Sequence, residues 1–234
     1  NALSRAAGLE LKTVSLDLDR PTADFTQAPA MSEDECLAAL NAGAAAVADA
    51  PDLVVLGEMG IGNSTTAAAL CLASFGGSAS DWVGPGTGVD DEGIARKIAV
   101  VEAGVTLHHE ALTNPFETLR RLGGRELAAI AGAVVAARLA GVPVMLDGFI
   151  CCAAIAPLAA ACPDILAHCL AGHVSAEPGH RLLLERMGLD PLLSLGMRLG
   201  EGSGALVALP LLDAAAALLN DVVRLDSIGA DRAD

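Results

Sequence analysis

At 234 residues, 53% of them hydrophobic but only 2% aromatic, the chain can bury a substantial core as one unit, built from alanine, leucine and valine. Its formal net charge of −15 argues against nucleic acid and anionic membranes as partners, since both would be repelled. Six cysteines without CxxC pairing or the spacing of a secreted disulfide scaffold read as buried free thiols of a cytoplasmic protein.

In chain order, the pattern predicts a strand over Lys12–Leu18, then a helix over Ser32–Ala50. Ser32 with Glu35 three residues on is the signature of a capping box. A short strand follows at Leu53–Leu56, too brief and too β-branched for a helix, and then a helix at Ser64–Leu72. Further helices are expected at Glu92–His108, Pro115–Leu122 and Arg125–Ala140, a strand at Val142–Leu146, and another near Ile165–Leu170. Helices at Gly179–Met187 and Ala205–Val223 complete the set. No segment reads as a signal peptide or membrane span; the apolar run Leu127–Leu139 contains Gly132 and Arg138 and is too short to cross a bilayer. Short apolar strands alternating with longer Ala/Leu helices predict an α/β fold. Its largely parallel, Rossmann-like sheet would be flanked by helices, with a small helical appendage, in a single domain over residues 1–234.

Three glycine loops carry the chemistry. Gly200-Glu201-Gly202-Ser203-Gly204, between apolar segments, strips side chains from around one carboxylate and leaves bare amides that a flat or anionic ligand can approach. Burial of Glu201 there would raise its pKa toward that of a usable general base; the alternative is a plain turn with an exposed glutamate. Gly57-Glu58-Met59-Gly60-Ile61-Gly62-Asn63-Ser64 leads from a strand into a helix, the arrangement in which amides and a helix N-terminus bind phosphate. The lysine of a nucleotide-triphosphate loop is replaced by Asn63 and the G-x-G-x-x-G dinucleotide spacing is absent, so a monophosphate suits it best. Gly84-Pro85-Gly86-Thr87-Gly88 precedes a helix bearing Lys97, one of only two lysines in the chain. Lys97 is either a phosphate contact or a solvated helix lysine.

Asp147 ends the Val142–Leu146 strand and so sits at the sheet's carboxyl edge, as a site residue or as a capping residue. Ser175, in Gly172-His173-Val174-Ser175, is a candidate donor to phosphate or ribose. His173, Glu177 and His180 have the i, i+4, i+7 spacing of a metal face on a helix, but Pro178 and Gly179 break such a helix, so no metal is expected. His108 and His109 close a helix and read as structural. Arg125 and Glu126 open one, as dipole partners or as site residues.

Six motifs in order resemble one family: the Gly57–Asn63 and Gly86–Gly88 loops, Gly123–Ile130, Pro143–Phe149, Gly172–His180 and Leu199–Ala205. Together they are similar to the nicotinate-nucleotide–dimethylbenzimidazole phosphoribosyltransferases, over about Asn1 to Asn220. The resemblance implies transfer of phosphoribose from nicotinate mononucleotide to 5,6-dimethylbenzimidazole in cobalamin nucleotide assembly, without cofactor, by a homodimer. It implies Glu201 as general base and Glu58 as a second carboxylate near the ribose. Gly60, Gly62, Asn63, Gly86, Thr87, Lys97, Asp147 and Ser175 would surround phosphate and ribose, with Leu199 against the benzimidazole. Relative to the family, the chain is expected to begin inside the fold, without a first strand and part of the benzimidazole pocket. It is also expected to have a shorter loop near Asp19–Thr22 and to diverge over Asp221–Asp234. The competing readings are a non-catalytic nucleotide-binding homologue and the same chemistry with another acceptor.

Overall fold

The structure, a computed structural model, describes residues 2–49, 52–86 and 88–222. Along the chain run α1 (Ala2–Ala6), α2 (Glu33–Ala46), β1 (Val54–Val55), α3 (Asn63–Phe75), α4 (Ala79–Trp82), α5 (Asp91–His108), α6 (Pro115–Leu122) and α7 (Arg125–Ala140). Then come β2 (Val144–Leu146), α8 (Phe149–Ala153), α9 (Ala156–Ala161), β3 (Cys169–His173), α10 (Pro178–Met187), β4 (Pro191–Leu193) and α11 (Ser203–Asp221). The strands form one parallel sheet in the order β1-β2-β3-β4, so each crossover carries helices and the chain alternates as expected.

Strand alternation assigns the two faces. Val54, Leu56, Val144, Leu146 and Ala171 point into the main core, which also holds α3, α8, α9 and the second half of α10. Leu53, Val55 and Met145 point the other way, onto Ala205, Leu206, Ala208 and Leu209 of α11. The contact with α11 is close: a Cβ on Gly172 would meet the Cα of Ala205 at 2.6 Å. By length and composition α11 is long and apolar enough to cross a membrane, which the sequence reading did not allow for. Its first turns nevertheless lie on the sheet, while Leu211, Leu218 and Leu219 further along are exposed.

The capping box at Ser32 forms: its hydroxyl accepts from Glu35 N–H at 3.2 Å and its own N–H donates to Glu35 Oε2 at 2.8 Å. Helices α6 and α7 have the bounds expected of them. Lys12–Leu18 is a correction. It forms no strand, and Leu9, Leu11, Val14 and Leu18 are exposed, because alternation without a neighbouring strand or a buried face has nothing to stabilise it. The strand expected near Ile165 starts later, at Cys169, since Pro163–Leu166 winds into a 3-10 turn. Strand β4 was not foreseen; it is three residues long and opens on proline. His108 is buried and its Nε2 lies 2.9 Å from the Phe25 carbonyl, a structural role as expected. All six cysteines are free thiols, of which only Cys162 is exposed.

Helices α2 and α7 pack backbone to backbone, because a Cβ on Gly43 would run into Ala129 O and one on Gly132 into Leu40 O. Alanine at 132 gains about 1 kcal/mol of helix propensity yet is expected to lower stability by about 2 kcal/mol net, since one helix must move. Urea unfolding of Gly132→Ala checks this, and an unchanged midpoint would contradict the close packing.

Candidate active site

All four strands deliver their carboxyl ends to one place, where ligands gather in open parallel sheets. Strand β1 runs into Gly57-Glu58, β2 into Asp147, β3 into Ser175, and β4 into the loop ending at Glu201. The first and last of these loops touch. A Cβ on Gly57 would overlap Gly202 N, and Glu201 N–H donates to the Glu58 carbonyl at 3.2 Å. Only glycine at 57 permits that approach, which brings the two carboxylates expected from sequence into one site.

Glu201 has φ +59°, left-handed backbone that costs a non-glycine residue about 1–2 kcal/mol. Buried Asp147 holds it there. Its Oδ1 accepts from Gly204 N–H at 2.8 Å and Ala205 N–H at 3.0 Å, and its Oδ2 from Gly202 N–H at 3.1 Å. His173 Nε2 lies 3.3 Å from the same Oδ1. Asp147 is 2% exposed and its oxygens are spent on the N-terminus of α11. The capping alternative, supplied from a different strand, therefore describes it better than direct substrate contact. The expectation that Glu201 is desolvated is corrected too: the residue is exposed.

Glu58 Oε2 accepts from Gly60 N–H at 3.1 Å and from the Asn63 side-chain amide, whose Nδ2 also reaches Glu126 Oε1 at 3.2 Å. The Gly60 amide and the Asn63 side chain, expected on a phosphate, are thus occupied in holding Glu58. Burial raises the pKa of Glu58, the Asn63 hydrogen bond lowers it, and the negative charges of Glu126 and Asp147 push it up further. Gly62 takes φ +78° as the N-cap of α3 and sets the turn into that helix.

On the other side of the α3 N-terminus lies a cationic group. Lys97 Nζ donates to Ser64 Oγ at 3.0 Å and to the Gly84 carbonyl at 3.2 Å, and Arg198 Nη2 donates to the Gly86 carbonyl at 3.0 Å. Gly86 keeps a gap open beside them, since a Cβ there would stand 3.0 Å from Lys97 Nζ and 3.2 Å from Ser64 Oγ. Lys97 is thus drawn against the Gly84–Gly86 loop and the first turn of α3, unlike a freely solvated helix lysine. Glu177 sits against Gly84, its Oε2 buried. Burial raises its pKa, while Lys97, Arg198 and the Gly86 backbone amide pull it down. Arg198 and Ser64 were not singled out by sequence, and Glu177 was weighed there only as part of a metal face; the signal for Arg198 was its place two residues before Gly200. Thr87 lies outside the described residues.

Ser175 turns inward: its N–H donates to His180 Nδ1 at 2.8 Å and its hydroxyl lies 2.9 Å from the same atom. An accepting Nδ1 leaves the hydrogen on Nε2, 3.3 Å from Cys152 Sγ, and burial lowers the His180 pKa to about 3, so the ring is neutral. His173, Glu177 and His180 fall on a strand, a cap and a helix, and among the described residues no group of His, Cys, Asp and Glu converges as a metal site. Arg125 is structural, donating to the Arg20 carbonyl and Glu35 Oε1. Leu199 is 70% exposed on the Glu201 loop and faces solvent together with Met59 and Ile61 of the Glu58 loop. A cavity of about 370 Å³ between α10 and β4 includes none of these groups.

A parallel α/β scaffold with carboxylates on one side of a helix N-terminus and cations on the other suits an enzyme that handles a sugar phosphate. The family model described as Phosphoribosyltransferase matches residues 1–229, further toward the C-terminus than the expected divergence at Asp221–Asp234. The chain is 65% identical over 229 residues to the nicotinate-nucleotide–dimethylbenzimidazole phosphoribosyltransferase of Novosphingobium aromaticivorans, covering 98% of this chain and 68% of that protein. It is 55% identical to the protein of the same name from Cereibacter sphaeroides, with the same coverage. The crystal structure of CobT from Thermus thermophilus superposes with a TM-score of 0.88 at 39% identity, over 99% of this chain and 75% of that one. The chain belongs to the nicotinate-nucleotide–dimethylbenzimidazole phosphoribosyltransferase family.

Proposed function

We propose that the protein transfers the phosphoribosyl group of nicotinate mononucleotide to 5,6-dimethylbenzimidazole, giving α-ribazole 5′-phosphate and nicotinate for the nucleotide loop of cobalamin. The observation that carries this reading is the junction of the Glu58 and Glu201 loops through Glu201 N–H and the Glu58 carbonyl, in a chain of this family. The pyridinium leaving group is already activated. The acceptor ring nitrogen forms a bond to the anomeric carbon while the bond to nicotinate breaks, and that electron pair stays on the nicotinate nitrogen. Attack on the face opposite the leaving group converts a β- into an α-ribosyl bond. Glu201 takes the proton from the other ring nitrogen of the acceptor, and Glu58 offsets the positive charge that develops at the anomeric carbon.

Lys97 and Arg198, held beside the Gly84–Gly86 loop, suit the 5′-phosphate, and the exposed Leu199, Met59 and Ile61 suit a flat apolar base. Lys97→Ala is expected to weaken mononucleotide binding by about tenfold or more, the worth of one charge-assisted contact; titration calorimetry reads it, and an unchanged Kd would remove Lys97 from the phosphate site. In keeping with this chemistry the protein would work in the cytoplasm as a homodimer, on small molecules alone, with α11 as part of the globular fold. Incubation with both substrates, followed by chromatography and mass detection of α-ribazole phosphate and nicotinate, tests the function. Mononucleotide bound without product would favour a non-catalytic homologue, and product with a different base would favour another acceptor.

A further inference from the structure

We infer that Glu126 is a positioning residue for Glu58, holding the Asn63 amide with its Nδ2 turned toward Glu58 and setting a second negative charge beside that carboxylate. The inference rests on the transferase reading above. Asn63 is 5% exposed, and its one nitrogen serves Glu58 Oε2 and Glu126 Oε1 together. An amide NH2 has two hydrogens, so both are spent on these two acceptors. Rotated by half a turn, Asn63 would present its carbonyl oxygen to carboxylate oxygens, and two acceptors on one side exclude that orientation far better than one does. The arrangement is tightly enclosed: a Cβ on Gly60 would overlap Asn63 Nδ2 and lie 2.6 Å from Glu126 Oε1.

Glu126 comes from the first turn of α7, where the helix dipole favours its negative charge. The titratable groups that face Glu58 among the described residues are Glu126 from α7, Asp147 after β2 and Cys151 of α8, while Glu201 meets it through its backbone N–H at the Glu58 carbonyl. Burial already raises the Glu58 pKa, and Glu126 raises it further. The consequence for the reaction is a more negative potential where the anomeric carbon becomes positive, from a carboxylate whose direction is fixed before substrate arrives.

The test compares Glu126→Gln, which keeps an oxygen acceptor for Asn63 but loses the charge, with Glu126→Ala, which loses both. In substrate-free protein, the midpoint of the Glu58 carboxyl, followed by carbon-13 NMR, is expected to fall by about 0.5–1 pH unit in Glu126→Gln. The acid limb of kcat/KM should move down by the same amount, because Glu58 acts ionised and a lower pKa keeps it ionised to lower pH. Turnover is expected to fall about tenfold more in Glu126→Ala than in Glu126→Gln, with the mononucleotide Kd changed by less than about threefold in either. An unmoved Glu58 midpoint in Glu126→Gln would overturn the inference. So would equal kcat losses in the two variants that simply follow their melting temperatures. If wild-type protein makes no product, the transferase reading fails alone, because the titration still reports whether the two carboxylates are coupled.

Discussion

Glu201→Gln is expected to lower turnover by about 10²-fold or more while leaving nicotinate mononucleotide binding nearly unchanged. Glutamine fills the same space on the same backbone, so the left-handed turn at φ +59° and the loop contact to Glu58 should persist. What is removed is the capacity to accept the acceptor's N–H proton. The exposure of Glu201 sharpens the expectation. The flat acceptor must cover this exposed carboxylate and strip water from the site before the proton moves. The effect should therefore appear in kcat with both substrates bound, and calorimetry with mononucleotide alone should see little. Equal losses in Kd and kcat would assign Glu201 to holding the mononucleotide and leave the reaction without its base.

Much of this site was legible in the sequence because glycine and charge are local signals. The loops at Gly57, Gly84 and Gly200 stood out from their composition, and the structure does bring the Glu58 and Glu201 loops, and Lys97 with Gly86, into contact. The helices α6 and α7 were legible because Asn114 with Pro115, and Gly123-Gly124, punctuate them. What sequence could not supply is how side chains spend their hydrogen bonds. Asp147 is a carboxylate at a strand end in either reading, and only its three backbone donors, 55 to 58 residues away, show that it caps another element. Asn63 looked like a phosphate ligand because it follows a glycine loop, yet a partner 63 residues on, Glu126, takes part of its donor capacity. The alternation of Lys12–Leu18 misled for the converse reason: a period-2 pattern is necessary for a half-buried strand but says nothing about whether a neighbour is there to pair with it. Strand β4 escaped because three residues are too few to show any period.

Asp147→Ala is expected to cost about 3 kcal/mol of stability or more, because three buried N–H groups of the Gly202–Ala205 turn lose their acceptor at once. Asp147→Asn is the more informative change. It keeps the volume and one carbonyl oxygen, but turns an NH2 toward a backbone donor, so about 1–2 kcal/mol should be lost and the protein should still fold. The Glu201 loop then loses part of the restraint that holds its left-handed residue, and turnover should drop about tenfold or more with the mononucleotide Kd little affected. A double mutant separates the two roles open to this residue. If Asp147 acts only by placing Glu201, then Asp147→Asn in a Glu201→Gln background should cost almost nothing further, because the group it positions is already inert. If instead Asp147 touches phosphate or ribose, its loss should appear in full on that background and in the binding of mononucleotide as well. The structure favours the first outcome: a carboxylate 2% exposed, saturated by three amides and a histidine, has no oxygen left to offer a substrate.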